Sequence, residues 1–294
     1  MVNNVQFIAE ISSNHNKDLD RCLKFIETSK NIGCDGIKFQ LFKIDKLFAP
    51  EILNASPRHR EKQNWELPLE FIPRLKQKCH ELNLKFLCTP FYLEAVEDLS
   101  PYVNSYKIAS YELLWHDLLE SCSKTKIPVI LSTGMATIDE IDSAVEVIKS
   151  AGARNVTLLH CVSAYPALVE QCNLSAIKTL RDRYKCEVGW SDHSVKDSVI
   201  YRAVYKWNAS MIEFHMDLDG SGEEFQIGHC WLPDQIAAVI NAVRNGSGKK
   251  EDFTLADGNG DKTPVQSEFK DCIWRADPSD GLRPLLKIRK TWKK

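Results

Sequence analysis

The sequence predicts a (β/α)8 TIM barrel, an α/β fold, followed by an irregular C-terminal tail. Short apolar, β-branched runs alternate with longer amphipathic stretches along nearly the whole chain, and the runs number eight, the count that closes such a barrel. No Gly-rich turn follows the first run, which places a doubly wound open sheet second. The length of 294 residues suits one barrel of roughly 250 residues plus a tail.

Taken in order, strands are expected at 5–10, 36–40, 85–89, 105–109, 129–132, 156–160, 187–191 and 211–215. Between them, helical patterns fall at 18–32, 69–82, 138–151, 174–184, 196–207 and 232–245. Ile141, Ala144, Val145 and Ile148 show the i, i+3, i+4, i+7 spacing of one buried helix face. The segment 43–68 is polar and aperiodic and reads as a long loop after strand two, on the face where long loops are commonly functional. These elements assign 1–252 to the barrel. The remainder, 253–294, carries Gly, Pro and Asp clusters and the basic end KIRKTWKK. It forms no domain of its own and is expected to wrap the barrel or reach another subunit.

The 38 basic and 40 acidic residues give a net charge of −2, so no large field is available for nucleic acid or an anionic membrane. With 44% hydrophobic and 27% charged residues, the composition is that of a soluble globular protein. A chain this long hides roughly three quarters of its unfolded surface and needs no staples. No apolar run approaches the roughly 18 residues that span a bilayer. The start MVNNVQFIAEISSN lacks a charged n-region and an apolar core, so no export signal is expected and a cytoplasmic location is. Ten cysteines include no Cys-x-x-Cys pair, which argues against a zinc ribbon. Cys22, Cys34, Cys79, Cys88, Cys161 and Cys186 lie in apolar segments and read as buried reduced thiols.

In a barrel of this kind the chemistry sits at the C-terminal strand ends. There the sequence places Glu10; Lys38 and Gln40; Thr89; Lys107, Ser110 and Glu112; Ser132; Ser163 and Tyr165; Ser191 and His193; and Glu213 and His215. Two lysines among hydroxyls suit a phosphate. Two histidines on adjacent strands can share a divalent metal, and Glu10 and Glu112 can position a polyol or move protons. Singly, each has an ordinary structural explanation: strand-end hydroxyls satisfy backbone and a lone lysine snorkels. Their convergence on one mouth is what points to a site.

The motifs Glu10-Ile11 with Asn14-His15, Ile37-Lys38-Phe39-Gln40, Cys88-Thr89-Pro90-Phe91, Tyr106-Lys107-Ile108-Ala109-Ser110, Ser132-Thr133-Gly134-Met135, Leu158-Leu159-His160-Cys161, Tyr165-Pro166, Ser191-Asp192-His193 and Glu213-x-His215 together resemble the sialic acid synthase family. That family comprises the N-acetylneuraminate, legionaminate and pseudaminate synthases. The resemblance runs from about Val5 to His215 and, more weakly, to Glu268. It implies condensation of phosphoenolpyruvate with an N-acylated aldohexose to a nine-carbon 2-keto acid plus phosphate. It also implies that His193 and His215 hold Mn2+ or a similar divalent metal, and that Lys38, Gln40, Thr89, Lys107, Ser110, Ser132, Ser163 and Ser191 bind phosphoenolpyruvate. Glu10, Glu112 and Tyr165 would meet the sugar, with Glu112 facing the positive charge that develops at C2. The family suggests a homodimer.

Four departures bear on the sugar side. Ser163 replaces the usual Asn, and Ser12 and Lys17 replace glycines around the first Asn-His pair. After strand eight, the usual Gly-Pro-Asp segment gives way to 217–229, where Glu223, Glu224 or His229 takes over or a solvated loop remains. The family's C-terminal antifreeze-like domain, which sends an arginine into the partner's site, has no counterpart pattern here; Arg275 and Arg283 in the tail are expected mostly as surface arginines. A synthase acting on another aldose, and a non-catalytic barrel binding phosphoenolpyruvate and metal, remain open alternatives. Two further signals are set aside. Asp257-x-Asn259-x-Asp261 with Glu268 mimics a calcium loop but has Lys262 where the turn needs glycine. Residues 246–250 mimic a phosphate loop but follow a helix.

Overall fold

Successive residues of a strand point to opposite faces, so each run must satisfy two neighbours at once. The computed structural model describes residues 5–248 and 253–292. Its strands are β1 Gln6–Glu10, β2 Gly36–Leu41, β3 Lys85–Pro90, β4 Ser105–Ile108, β5 Val129–Ser132, β6 Val156–Cys161, β7 Glu187–Asp192 and β8 Met211–Met216. All begin and end within one residue of expectation. Each pairs in parallel with the next and β1 closes on β8, so Glu10 is in register with Lys38 on one side and His215 on the other. A two-residue strand, β9 Cys230–Trp231, extends the β8 end with Cys230 opposite His215. The fold is therefore the predicted (β/α)8 barrel.

One set of strand side chains, including Phe7, Ile37, Phe39, Phe86, Tyr106 and Ile108, packs outward against Cys22, Phe25, Ile26, Leu75 and Cys79 of the surrounding helices in the main core. The alternate set points inward. Ile8, Leu87, Ile130, Leu159 and Met211 form a separate apolar cluster that fills the barrel floor. Gly189 belongs to this layer, because a side chain there would collide with Met211 and its carbonyl. Two residues further along the strands the inward set becomes Glu10, Thr89, Ser132, Ser191 and Glu213, all buried. The same pleat that seals the floor thus delivers polar groups to the mouth.

The helices Leu19–Asn31, Ile72–Glu81, Ile138–Ser150, Ala176–Tyr184, Asp197–Tyr205 and Pro233–Arg244 occupy the predicted stretches. Asp18 caps the first through Arg21 N, and Thr137 with Glu140 forms a capping box on the third. All ten cysteines are free, with Cys186 and Cys272 half-buried and the others buried. Among the described residues no helix is long and apolar enough to cross a membrane.

The segment 43–68 is not a plain loop. It holds the short helices Ile44–Leu47, Pro50–Ala55 and Pro57–Glu61 and the 3-10 turn Lys62–Trp65. Each lasts only a turn or so, two start at proline, and none is long enough to show a helical period. Phe42, Ile44, Leu47, Phe48, Ala49, Ile52 and Phe91 give this segment its own small core, onto which Trp274, Leu282 and Trp292 of the tail pack. The tail therefore wraps its own barrel across the mouth. Its calcium-like turn is spent on structure: Asp257 binds Arg202 and Trp207, while Glu268 points elsewhere. Part of the phosphate-loop mimic, 249–250, lies outside the described residues.

Candidate active site

At the centre of the mouth lies Glu213, 2% exposed. Its Oε1 accepts from Lys38 Nζ at 2.7 Å and lies 3.0 Å from Lys107 Nζ, with Ser191 Oγ donating at 3.4 Å. Lys38 Nζ also sits 2.7 Å from Glu10 Oε2. Two cations and two carboxylates thus form a buried quartet. Burial opposes ionisation of Glu213, yet the ammonium groups of Lys107 and Lys38 outweigh it and hold the carboxyl far below its usual range. Burial, reinforced by nearby Lys107, pushes Lys38 down to about 7.

The predicted residues Lys38, Gln40, Thr89, Lys107, Ser110, Ser132, Tyr165, Ser191, His193 and His215 line one cavity of about 50 Å3. Glu10 stands directly behind it, accepting from Gln40 Nε2 and Ser12 N at 2.8 Å each. The hydroxyls of Thr89 and Ser132 are buried without a partner. Buried polar groups are normally hydrogen-bonded, so these two are complete only with a polar ligand in the cavity. Ser163 is not on the wall. Its backbone N donates to Glu268 Oε1 at 2.6 Å, and its unpartnered hydroxyl sits against Gly134, where any side chain would strike it.

His193 and His215 stand side by side, ring centroids 5.4 Å apart, with Tyr165 4.2 Å from His193. Burial keeps both imidazoles below their ordinary pKa and hence neutral. His193 Nδ1 donates to Val162 O at 2.7 Å, and His215 Nδ1 donates to Glu224 Oε2 at 3.0 Å. A carbonyl and a carboxylate can only accept, so both Nε2 atoms keep the lone pair a metal needs, with the backing partners typical of metal-bound histidines. The pair fits a divalent ion. The 217–229 loop adds to it: ligand atoms of His215, Glu224, His229 and Cys230 all lie within 4.8 Å of one another. Glu224 is further fixed by Ser12 Oγ at 2.5 Å and Ser13 Oγ at 2.9 Å, whereas Glu223 is exposed.

Arg283 corrects an expectation. It is no surface arginine: its guanidinium binds buried Glu112, Nε to Oε1 at 2.8 Å, and lies 4.3 Å over the Tyr111 ring. Arg283 N donates to Leu47 O and Ala49 N to Arg283 O, tying tail to the 43–68 segment. Glu112 stays at the lip rather than on the cavity wall; burial pushes its carboxyl up more than Arg283 pulls it down. Arg275 is likewise engaged, with Glu140 at 2.9 Å. Glu268 fastens the tail to the loops after β5 and β6 through Met135 N and Ser163 N.

From sequence, Glu213 was placed at its strand end without a role, Glu224 and His229 were offered only as alternatives, Arg283 was expected at the surface and Glu268 was given no part in the site. A signal existed for Glu213, which shares a strand face with His215 two residues on. The other four lie in aperiodic segments.

Comparison with known proteins gives the family. A NeuB family model matches residues 25–252. N,N'-diacetyllegionaminic acid synthase of Campylobacter jejuni is 36% identical over 278 residues, 90% of this chain and 80% of its own. The crystal structure of spore coat polysaccharide biosynthesis protein spsE from Bacillus subtilis superposes with a TM-score of 0.79 at 28% identity, covering 92% of this chain and 77% of that one. N-acetylneuraminic acid (sialic acid) synthetase of Leptospira borgpetersenii gives a TM-score of 0.76 at 29% identity, covering 92% and 90%. The chain belongs to the NeuB family and is a transferase of the sialic acid synthase type.

Proposed function

We propose that the protein condenses phosphoenolpyruvate with an N-acylated aldohexose to a nine-carbon 2-keto acid, releasing phosphate, with a divalent metal, Mn2+ or similar, at His193 and His215. The observation that carries this reading is the convergence of Lys38, Lys107 and the partnerless hydroxyls of Thr89 and Ser132 on one buried cavity beside the two histidines. Lys38, Lys107, Gln40 and the hydroxyls of Thr89, Ser110, Ser132 and Ser191 bind the phosphate and carboxylate of phosphoenolpyruvate. Ser163 acts from behind Gly134, shaping the turn that backs this pocket.

A divalent ion at the histidine pair supplies Lewis acidity to the aldehyde. C3 of phosphoenolpyruvate forms the new bond to the aldehyde carbon, whose oxygen takes up a proton. Water adds at C2 and releases one, and the C2 hydroxyl then yields the ketone as the C–O bond to phosphate breaks. Glu112, held by Arg283, faces the positive charge at C2. Glu10 and Tyr165 orient the sugar.

The test is phosphate release from phosphoenolpyruvate with Mn2+ across N-acetylated, diacetamido and unacylated aldoses. Acceptor-dependent release that EDTA abolishes supports the reading. Silence with every acceptor, while phosphoenolpyruvate and metal still bind, favours a non-catalytic barrel.

A further inference from the structure

β8 and β9 lie side by side with His215 opposite Cys230, and the loop joining them returns Glu224 and His229 to the same spot. Gly228, in the left-handed region at φ 100°, ends the short helix Glu223–Ile227 and turns the chain so that His229 comes inward. Glu224 Oε2 is 3.0 Å from His215 Nδ1, 3.4 Å from His229 Nε2 and 3.8 Å from Cys230 Sγ. Around one ion, tetrahedral ligands with bonds of about 2.0–2.3 Å stand about 3.3–3.8 Å apart. The four side chains are therefore already near the spacing of one ion's ligands.

Their outer contacts leave the inner atoms for each other. Ser12 and Ser13 hold Glu224 by its other oxygen, Oε1, and Asn14 Nδ2 donates to Cys230 Sγ at 3.6 Å. Such backing partners orient metal ligands and stabilise their charge. As a plain hydrogen-bond cluster the arrangement is poor. The Cys230 thiol reaches Glu224 only at 3.8 Å, and His229, 4% exposed, has no hydrogen-bond partner for its Nδ1. Charge closes as well: a dication, one carboxylate, one thiolate and two neutral imidazoles sum to zero, which suits a buried site. A thiolate selects Zn2+ over hard ions such as Mn2+.

His215 is the shared member. A neutral imidazole has one nitrogen lone pair, so an ion on Nδ1 leaves the proton on Nε2, the nitrogen needed for the pair with His193. We propose that His215 Nδ1, Glu224, His229 and Cys230 form a second metal site, for Zn2+ or a similarly thiophilic dication, and that filling it withdraws His215 from the pair with His193. The site differs from that pair in its ligands, its metal and the ring nitrogen used. Zinc binding there stands apart from the synthase reading, because no substrate enters its test; a resulting loss of turnover rests on that reading.

The test takes the whole reduced, metal-free protein. Loaded with one equivalent of Co2+, it should show a thiolate-to-cobalt charge-transfer band that Cys230→Ser abolishes. Calorimetric titration with Zn2+ should give a Kd raised about 100-fold or more in Cys230→Ser and in His229→Ala, but changed less than about three-fold in His193→Ala. Circular dichroism checks that each variant is folded, and the wild-type cobalt spectrum needs no variant. Protein preloaded with one equivalent of Zn2+ should then bind Mn2+ about ten-fold or more weakly than metal-free protein, read by electron paramagnetic resonance. Absence of the charge-transfer band overturns the proposal. So does Zn2+ binding that His193→Ala abolishes while Cys230→Ser leaves it unchanged, since the ion then sits at the histidine pair. Undiminished Mn2+ binding with zinc in place overturns the withdrawal of His215.

Discussion

Among the described residues Glu213 is the one carboxylate within reach of both buried lysines, and its removal leaves Lys38 and Lys107 facing each other with Glu10 alone. Breaking a buried ion pair on one side costs about 3–5 kcal/mol, so Glu213→Gln should lower the unfolding free energy by about that amount, read as a lower urea midpoint. Because the folded state holds this carboxyl below its unfolded pKa of about 4.3, its contribution is complete above that value and fades as the pH falls beneath it. The variant should therefore show a flatter acid limb in stability against pH; identical limbs would contradict the assignment. Glu224 acts through His215, whose Nδ1 it holds. Glu224→Ala should weaken Mn2+ binding by about 10–100-fold in a calorimetric titration, as loss of a backing carboxylate does elsewhere. Lys38, Lys107, His193 and His215 were legible in the sequence because strand ends carry the site in this fold. Glu213 was placed at its strand end but given no role, because a glutamate within an apolar run does not reveal by its spacing that it meets two lysines from other strands. Glu224 and His229 were named only among alternatives, because the segment around them is short, polar and without period.

At the scale of elements, the strands were readable to within a residue, since a buried β-branched run has little else it can be. The 43–68 segment was not, because helices of a turn or so leave no periodic trace and are stabilised by a core shared with the tail. The tail's role was equally hidden: Arg283 meets Glu112 across 171 residues of sequence, a contact no local pattern encodes. Glu268 pins the tail to the barrel by accepting from Met135 N and Ser163 N, both buried. Glu268→Ala leaves those donors unsatisfied and should cost about 2 kcal/mol or more, read as a lower urea midpoint. Arg283→Met strands Glu112 without a counter-charge. On the synthase reading, it should raise the KM for the acceptor about ten-fold or more while the KM for phosphoenolpyruvate changes little.

Across the whole molecule, the net charge of −2 hides a strongly sorted mouth. The inner quartet of Lys38, Lys107, Glu10 and Glu213 is neutral in sum, so on the synthase reading it would meet an anionic substrate by hydrogen bonding and need added positive charge to hold it. A dication at the histidine pair, which borders the same cavity, is placed to supply it. Chelation should therefore weaken phosphoenolpyruvate binding as well as turnover, seen as a raised Kd in EDTA-treated protein. The central claim is a carbon–carbon condensation in which the C–O bond of phosphoenolpyruvate breaks. It is tested most directly with phosphoenolpyruvate labelled with 18O at the bridging oxygen, turned over with Mn2+ and an accepted aldose. The account predicts that the released phosphate carries the label. Unlabelled phosphate would show cleavage at phosphorus and contradict it.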